Sequence, residues 1–196
     1  MKAISCVLAV AALFAASGAD AQSTVRVRGT ITAVDGSVMA VKSRDGRDLK
    51  LQLPDDVTVV VAKAVRFDDI KDGDYVGATT TPGPDGTAIA SEVHYLAPTT
   101  QEGQSASDLA PGSTMTNANV ASKVVGTGKH ELTLQFKNGT QKIVVPDEIP
   151  LVRSVPGTRA DLVPGEYVYA VVQVATDGTM TAPRIQVSKD GVRPGQ

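Results

Sequence analysis

The chain contains an internal duplication, and this duplication limits the folds open to it. Residues 54–96 align without a gap to residues 146–188, ninety-two positions later, and 12 of the 43 aligned pairs are identical. The identical pairs are turn residues and apolar positions, as with Gly73 and Gly165. A repeat of this length indicates that one supersecondary unit occurs twice. The duplication therefore predicts two equivalent modules.

Within each copy, apolar and polar residues alternate at a period of two. Residues 25–33 and 49–53 follow this pattern in the first half of the chain, and residues 132–136 follow it in the second. Such alternation is typical of a strand with one buried and one solvated face. The pairs Asp35-Gly36 and Asn138-Gly139 favour tight hairpins that need a positive φ. The pattern therefore predicts a chain built mainly of antiparallel strands.

One stretch in each copy interrupts the strand pattern. Residues 69–73 predict a single helical turn, with Asp69 as its N-terminal cap and Gly73 as its left-handed exit, and residues 161–165 predict the same turn in the second copy. Three strands, a helical turn and two further strands follow the order of an oligonucleotide/oligosaccharide-binding (OB) barrel. We therefore expect an all-β fold of two tandem five-stranded OB-like (Greek-key) barrels, each with one short helical turn. A five-stranded SH3-like barrel or a small sandwich has the same strand pattern and remains an alternative.

The N-terminus has the features of a secretory signal peptide. Lys2 precedes an apolar run over residues 4–16, and Ala19-Asp20-Ala21 supplies the small-x-small pattern that signal peptidase recognises. We expect residues 1–21 to be removed between Ala21 and Gln22, with export to a bacterial periplasm. Cleavage would remove the single cysteine of the chain, so no disulfide is expected. No later segment is long and apolar enough to predict a transmembrane segment in the mature chain.

Composition divides the mature chain into two modules and a connection between them. Residues 22–97 form the first predicted module and residues 117–190 the second. Between them, residues 98–116 are rich in Thr, Ser, Gly, Gln and Pro, the composition of a flexible solvated linker. Residues 191–196 are expected to form a loose tail.

Charge excludes one class of partner. The chain carries 19 Lys and Arg against 21 Asp and Glu, a formal net charge of −2, and these residues are interspersed. Binding to a phosphate backbone requires a basic stripe, which this sequence lacks. No nucleic-acid partner is therefore expected.

Several of these motifs resemble a known bacterial family. The run Arg28-Gly29-Thr30-Ile31, the stretch of residues 69–76 and the triplet Asp85-Gly86-Thr87 are similar to the DUF5666 type of small exported OB-like domain. The resemblance covers nearly all of the first copy and implies a tandem of such domains. It also implies a bacterial periplasmic protein of unknown function. Some similar proteins carry the label of a metal ABC transporter permease.

Metal-ligating residue types are sparse. His94 and His130 are the two histidines, and neither stands beside a second histidine or a cysteine. Because transition-metal sites need three or four converging ligands, we expect no metal site, and the two histidines are only weak candidates. The acidic residues near Asp69 lack the spacing of a calcium loop, so we expect them to cap the helical turn. This acidic cluster comprises Asp68, Asp69, Asp72 and Asp74.

A candidate ligand face lies in the first module. Arg26 and Arg28 on the opening strand, together with Tyr75 and Tyr95, would hold an anionic ligand by charge and stacking. The alternative interpretation is ordinary solvated alternation along a strand.

No catalytic motif accompanies this face. The sequence lacks a Gly-x-Ser-x-Gly elbow, a His-Glu-x-x-His helix and a phosphate-binding glycine loop. We therefore expect a non-enzymatic periplasmic binding or adaptor protein without a cofactor, whose partner is a small anionic ligand or a periplasmic protein. The alternatives are a structural or stress-related envelope protein and a periplasmic accessory associated with metal transport.

Overall fold

The computed structural model describes residues 23–126 and 129–195, and within them the fold is all-β. The predicted signal peptide and its cleavage site between Ala21 and Gln22 lie outside the described residues. Two short 3₁₀ turns, Phe67–Asp69 and Arg159–Asp161, are the helical elements of the described part. The strands are β1 (Ser23–Asp35), β2 (Val38–Ser43), β3 (Asp48–Gln52), β4 (Thr58–Ala64), β5 (Tyr75–Pro82), β6 (Ala88–Tyr95), β7 (Gly103–Ala106), β8 (Thr114–Val124), β9 (His130–Phe136), β10 (Gly139–Val145), β11 (Leu151–Pro156), β12 (Tyr167–Val174), β13 (Met180–Thr181) and β14 (Arg184–Val187).

The predicted helical turns lie two residues earlier than expected. Asp69 is the last residue of its 3₁₀ turn, not the cap before it. Its carboxylate reaches back to accept a hydrogen bond from the backbone N–H of Arg66 at 3.4 Å, and Asp161 accepts one from Thr158 at 2.8 Å. Both aspartates therefore still satisfy an open backbone donor, but from the third position of the turn. Gly73 has the predicted positive φ, at 86°.

Five strands close a first ring of hydrogen-bonded neighbours. β1 pairs with β2, β2 with β3, β3 with β13, β13 with β12, and β12 with β1. All of these pairs are antiparallel except β3 with β13. The core of this ring contains fully buried side chains from both halves of the chain, such as Met39 and Leu51 from the first half and Val168 and Ile185 from the second.

A second ring has the same order. β8 pairs with β9, β9 with β10, β10 with β6, β6 with β5, and β5 with β8, and again only the third pair is parallel. Its core combines Val76 and Val93 from the first copy with Leu132 and Leu134 from the second half of the chain.

The two rings differ from the expected tandem arrangement. The sequence predicts that each copy closes its own barrel, whereas each ring takes its first three strands from one half of the chain and its last two strands from the other. The chain passes from one ring to the other after β4 and again after β11. Both halves of the chain have the same alternating pattern. The last two strands of either half can therefore pair with the same exposed strand edges, which is the basis of strand exchange between repeats.

A pseudo-two-fold axis relates the two halves. β4 and β11 are equivalent strands of the repeat, and they pair antiparallel with Ala62 opposite Ser154. The difference between these two residue numbers is 92, the offset of the duplication. On either side, β4 pairs in parallel with β14 and β11 pairs in parallel with β6. The central strands therefore join the two rings into one continuous sheet.

The segment between the predicted modules is paired with the second ring. Residues 98–116, which the composition predicts as a flexible linker, contain β7 and the beginning of β8, and these two strands form an antiparallel pair. Near the C-terminus, in the predicted tail, Pro194 and Gly195 are buried. Within residues 23–126 and 129–195, no helix has the length and apolar character that crossing a bilayer requires.

Candidate functional site

A cavity of about 860 Å³ lies over the face of the central sheet that both rings share. Strands from both halves of the chain line it, and the segment after β6 forms its remaining wall. The lining residues are Arg26, Arg28, His94, Tyr95, Leu96, Ala97, Thr99, Thr100, Ser105, Ala106, Ser107, Asp108, Met115, Asn117, Arg153, Ser154, Tyr169, Arg184, Gln186 and Gly195.

Strand register places three of the arginines that line this cavity, Arg26, Arg28 and Arg184, on one face of the sheet. Arg28 of β1 is paired with Tyr169 of β12, and Tyr169 is paired with Gln186 of β14. Arg26 and Arg184 lie two residues along their strands from Arg28 and Gln186, so they project from the same face. The backbones of β1 and β14 are two strand spacings apart, about 10 Å.

The same face continues into the second ring. His94 of β6 is paired with Gly77 of β5, and Gly77 is paired with Asn117 of β8. Asn117 is in turn paired with Gly103 of β7. Residues 105–108, at the end of β7 and just after it, line the same cavity.

The contact that closes this wall joins Arg28 to Asp108. The two terminal nitrogens of Arg28 donate to the two carboxylate oxygens of Asp108 at 2.9 and 2.8 Å. Only 7% of the Arg28 side chain is exposed, whereas 52% of the Asp108 side chain is exposed. The hydrogen bonds from Arg28, helped by its charge, lower the pKa of Asp108 below its ordinary value. Arg26 is the next cation, 4.0 Å from the same carboxylate.

Aromatic rings orient two of the cavity's guanidinium groups. The guanidinium carbon of Arg28 lies 5.2 Å from the centre of the Tyr169 ring, and that of Arg153 lies 3.9 Å from the centre of the Tyr95 ring. Both separations are within the range of cation–π attraction. The Tyr95 hydroxyl donates to Asp74 at 2.7 Å, and burial together with this bond raises the pKa of Tyr95.

The charge of the cavity is opposite to that of the chain. Among the described residues, four arginines and one aspartate line it, a formal +3, whereas the whole chain carries −2. Asp108 is the acidic partner of Arg26 and Arg28. Within the described part of the chain, Arg153 and Arg184 form no ion pair within 4 Å. The described residues that line the cavity therefore carry more positive than negative charge.

His94 is held tightly at one end of the cavity. Its side chain is 15% exposed, and Nδ1 lies 3.4 Å from a carboxylate oxygen of Glu92. A methyl group on Gly77 would come within 2.8 Å of Nε2, and one on Gly195 would collide with Cγ and Cβ of the same side chain. Two glycines therefore leave the space that this imidazole fills.

The two histidines are not brought together. His130 does not line the cavity; it stacks on Phe67 with ring centres 4.1 Å apart and places Nε2 3.2 Å from Asp147. Among residues 23–126 and 129–195, no group of three or more His, Cys, Asp or Glu side chains is arranged to hold a metal ion.

The acidic cluster near the first 3₁₀ turn is divided among separate contacts. Asp69 pairs with Arg66 at 3.0 Å. Asp74 accepts hydrogen bonds from the Tyr95 hydroxyl and from the backbone N–H of Lys71. These carboxylates therefore serve local backbone and side-chain donors.

The structure brings together three of the four residues predicted to form a ligand face. Arg26, Arg28 and Tyr95 line the cavity, whereas Tyr75 does not; its hydroxyl donates to the backbone oxygen of Thr100 at 3.0 Å. Burial accordingly raises the pKa of Tyr75.

Sequence reasoning missed four important members of the site. They are Asp108, Arg153, Tyr169 and Arg184. The duplication holds a signal for three of them, because each is aligned with a residue of a different chemical type in the first copy. Arg153 is aligned with Val61, Tyr169 with Gly77, and Arg184 with Glu92. Residues that differ so strongly between copies are not required by the shared fold. Asp108 has no counterpart in the repeat and lies in the segment predicted as linker.

Comparison with known proteins does not assign this chain to a group. No family model matches it, and no curated protein or solved structure matches it.

Proposed function

We propose that this protein is a non-enzymatic binding protein that takes a small anionic ligand in the central cavity. The observation that carries the proposal is the formal +3 charge of the described residues that line the cavity, four arginines and one aspartate in a chain of net charge −2. Arginines gathered in a recess attract anions, because the recess excludes water and strengthens the charge interaction.

The size and composition of the cavity support the same proposal. Ligand sites occupy about 300–1,000 Å³ and combine apolar or aromatic walls with a few converging polar groups. This cavity has a volume of about 860 Å³. Tyr95 and Tyr169 supply aromatic walls, and Ser154 and Gln186 supply polar groups that already hydrogen-bond to each other at 3.1 Å.

We further infer that each ring is an OB-like barrel completed by strands of the other copy. Numbered by their role in the repeat, the strands of each ring follow the closed order 1-2-3-5-4-1, with the 3–5 pair parallel. This order supports an OB-like assignment and is compatible with the DUF5666 resemblance. Export to the periplasm belongs to the same proposal and depends on the N-terminal signal sequence.

The proposal is tested by measuring anion binding to the purified protein by isothermal titration calorimetry. Suitable probes are citrate, inorganic phosphate and tetragalacturonate at low ionic strength. We expect binding to the wild-type protein and to a Lys50→Gln/Lys137→Gln control, which removes two positive charges outside the cavity. Binding should be lost in Arg26→Gln/Arg184→Gln. Equal binding to both double variants, or no binding of any probe to the wild type, would overturn the proposal.

A further inference from the structure

The Asp108 carboxylate that binds Arg28 belongs to a loop whose other hydrogen bonds to described residues are made within the loop. We define the latch loop as residues 107–113, between β7 and β8. Its turn is closed by its own bonds, from the Ser107 N–H to the Ser113 oxygen at 2.9 Å and from the Ser113 hydroxyl to the Ala110 oxygen at 2.6 Å. Within the described residues, the hydrogen bonds and ion pairs of this loop to other parts of the chain are those of Asp108 with Arg26 and Arg28. In this described part of the chain, Asp108 therefore supplies the hydrogen bonds and ion pairs between this loop and the first ring.

Arg28 is oriented to receive a carboxylate. Its guanidinium is buried, faces the Tyr169 ring and presents two parallel donors at 2.9 and 2.8 Å to the two oxygens of Asp108. Its Nε has no hydrogen-bond partner within the described part of the chain. A rigid fork of this kind matches a planar carboxylate in two-point geometry.

We infer that Asp108 occupies the place of a ligand carboxylate on Arg28, and that carboxylate ligands enter the cavity by displacing the latch loop. This inference rests on the proposed function and specifies the ligand class and the gate of the same site. The exchange replaces one carboxylate on Arg28 by another, so the buried guanidinium keeps an anionic partner. The released Asp108 is already half exposed, at 52%, and moves outward into solvent.

The competition between the two carboxylates has a measurable consequence. An internal group tethered by a short loop has an effective concentration of about millimolar or more. The closed state of the latch loop has Asp108 on Arg28, and the open state has Asp108 released. The observed affinity for a ligand is therefore its intrinsic affinity reduced by about the ratio of closed to open molecules. Removing the charge of Asp108 should raise the affinity for carboxylates by about ten-fold or more, because the latch then no longer competes.

The test compares Asp108→Asn with the wild type and with Asp48→Asn. Asp48 has an 81% exposed side chain on β3, so its variant removes the same charge outside the cavity. Citrate and tetragalacturonate serve as carboxylate probes, and inorganic phosphate serves as the non-carboxylate probe. We expect citrate and tetragalacturonate to bind about ten-fold more tightly to Asp108→Asn, with no change in Asp48→Asn.

The outcomes separate the two proposals. Equal carboxylate affinity in all three proteins would overturn the latch and leave the proposed function standing. A preference of Asp108→Asn for phosphate over both carboxylates would overturn the assignment of ligand class. Absence of binding of every probe to every protein would overturn the proposed function itself.

A second measurement uses the wild-type protein and does not depend on how the variant folds. The pKa of Asp108 is followed by carboxyl ¹³C NMR, without ligand and with saturating citrate. We expect the lowered pKa to return to the ordinary range of an aspartate when citrate takes its place on Arg28. An unchanged lowered pKa at saturation would show that Asp108 stays on Arg28 and would overturn the exchange.

Discussion

Ala62 and Ser154 face each other across the pair of β4 and β11, and they are the same position in the two copies of the repeat. An antiparallel pair of equivalent residues lies on the two-fold axis that relates the copies. On either side of this pair, the last strands of each half of the chain complete the ring that the other half begins. Each ring is therefore completed by strands from the other half of the chain, and the arrangement resembles a strand-exchanged dimer joined into one chain.

Cutting the connection between the copies should not separate them. We expect a chain with a protease site inserted between Pro98 and Thr99 to elute as one species after cleavage, because each core contains side chains from both fragments. Size-exclusion chromatography with mass spectrometry checks this, with protease-treated wild type as the control. Two separately eluting folded modules would show that each copy closes its own barrel.

Core truncation in one ring should destabilise the whole molecule. Leu51 and Leu132 are fully buried in the first and second core, and replacing either by Ala should cost about 2–5 kcal/mol in the free energy of unfolding. Urea unfolding should remain a single transition, since each ring shares strands with both halves. Val124→Ala is the control, because this side chain is 53% exposed and should change stability by less than about 0.5 kcal/mol. Two separate transitions would contradict the shared cores.

A methyl group at Gly77 should be costly because His94 has no room to move. The added carbon would lie 2.8 Å from Nε2, while Gly195 contacts the opposite part of the same side chain. We expect Gly77→Ala to destabilise the protein by about 1–3 kcal/mol, the usual cost of overpacking. Combining it with His94→Ala should recover most of that loss in urea unfolding. Additive effects of the two substitutions would show that His94 does not cause the strain.

The contact between Asp108 and Arg28 should depend on pH in the acid range. The folded-state pKa of Asp108 is lowered, chiefly by hydrogen bonds from Arg28, so its contribution to stability is present above the ordinary aspartate pKa of about 3.9. That contribution is lost as the pH falls through the lowered value. The stability difference between wild type and Asp108→Asn should therefore be constant from neutral pH to about pH 5 and shrink below it. A difference that stays constant down to pH 2 would contradict an ionised Asp108.

Part of the site was predictable because its residues follow local rules. Arg26 and Arg28 alternate with buried valine and glycine on one strand, so their common face follows from the period of two. The contribution of Arg184 was not predictable in this way, because it approaches β1 only through the pairing of β1 with β12 and of β12 with β14. Asp108 was missed because composition alone describes its segment as solvated, whereas one ion pair with a buried arginine fixes it in place.

Strands, turns and the duplication follow from the order of residues, because alternation and positive-φ glycines act within a few positions. The choice of partner strand does not. Both copies present the same apolar pattern, so β5 and β6 satisfy the edges of either ring equally well by local criteria. The tertiary structure decides between them, because the connections after β4 and β11 carry the chain across the two-fold axis and leave those two strands paired with each other. The arginine cavity exists only because of that crossing, since its walls come from both copies.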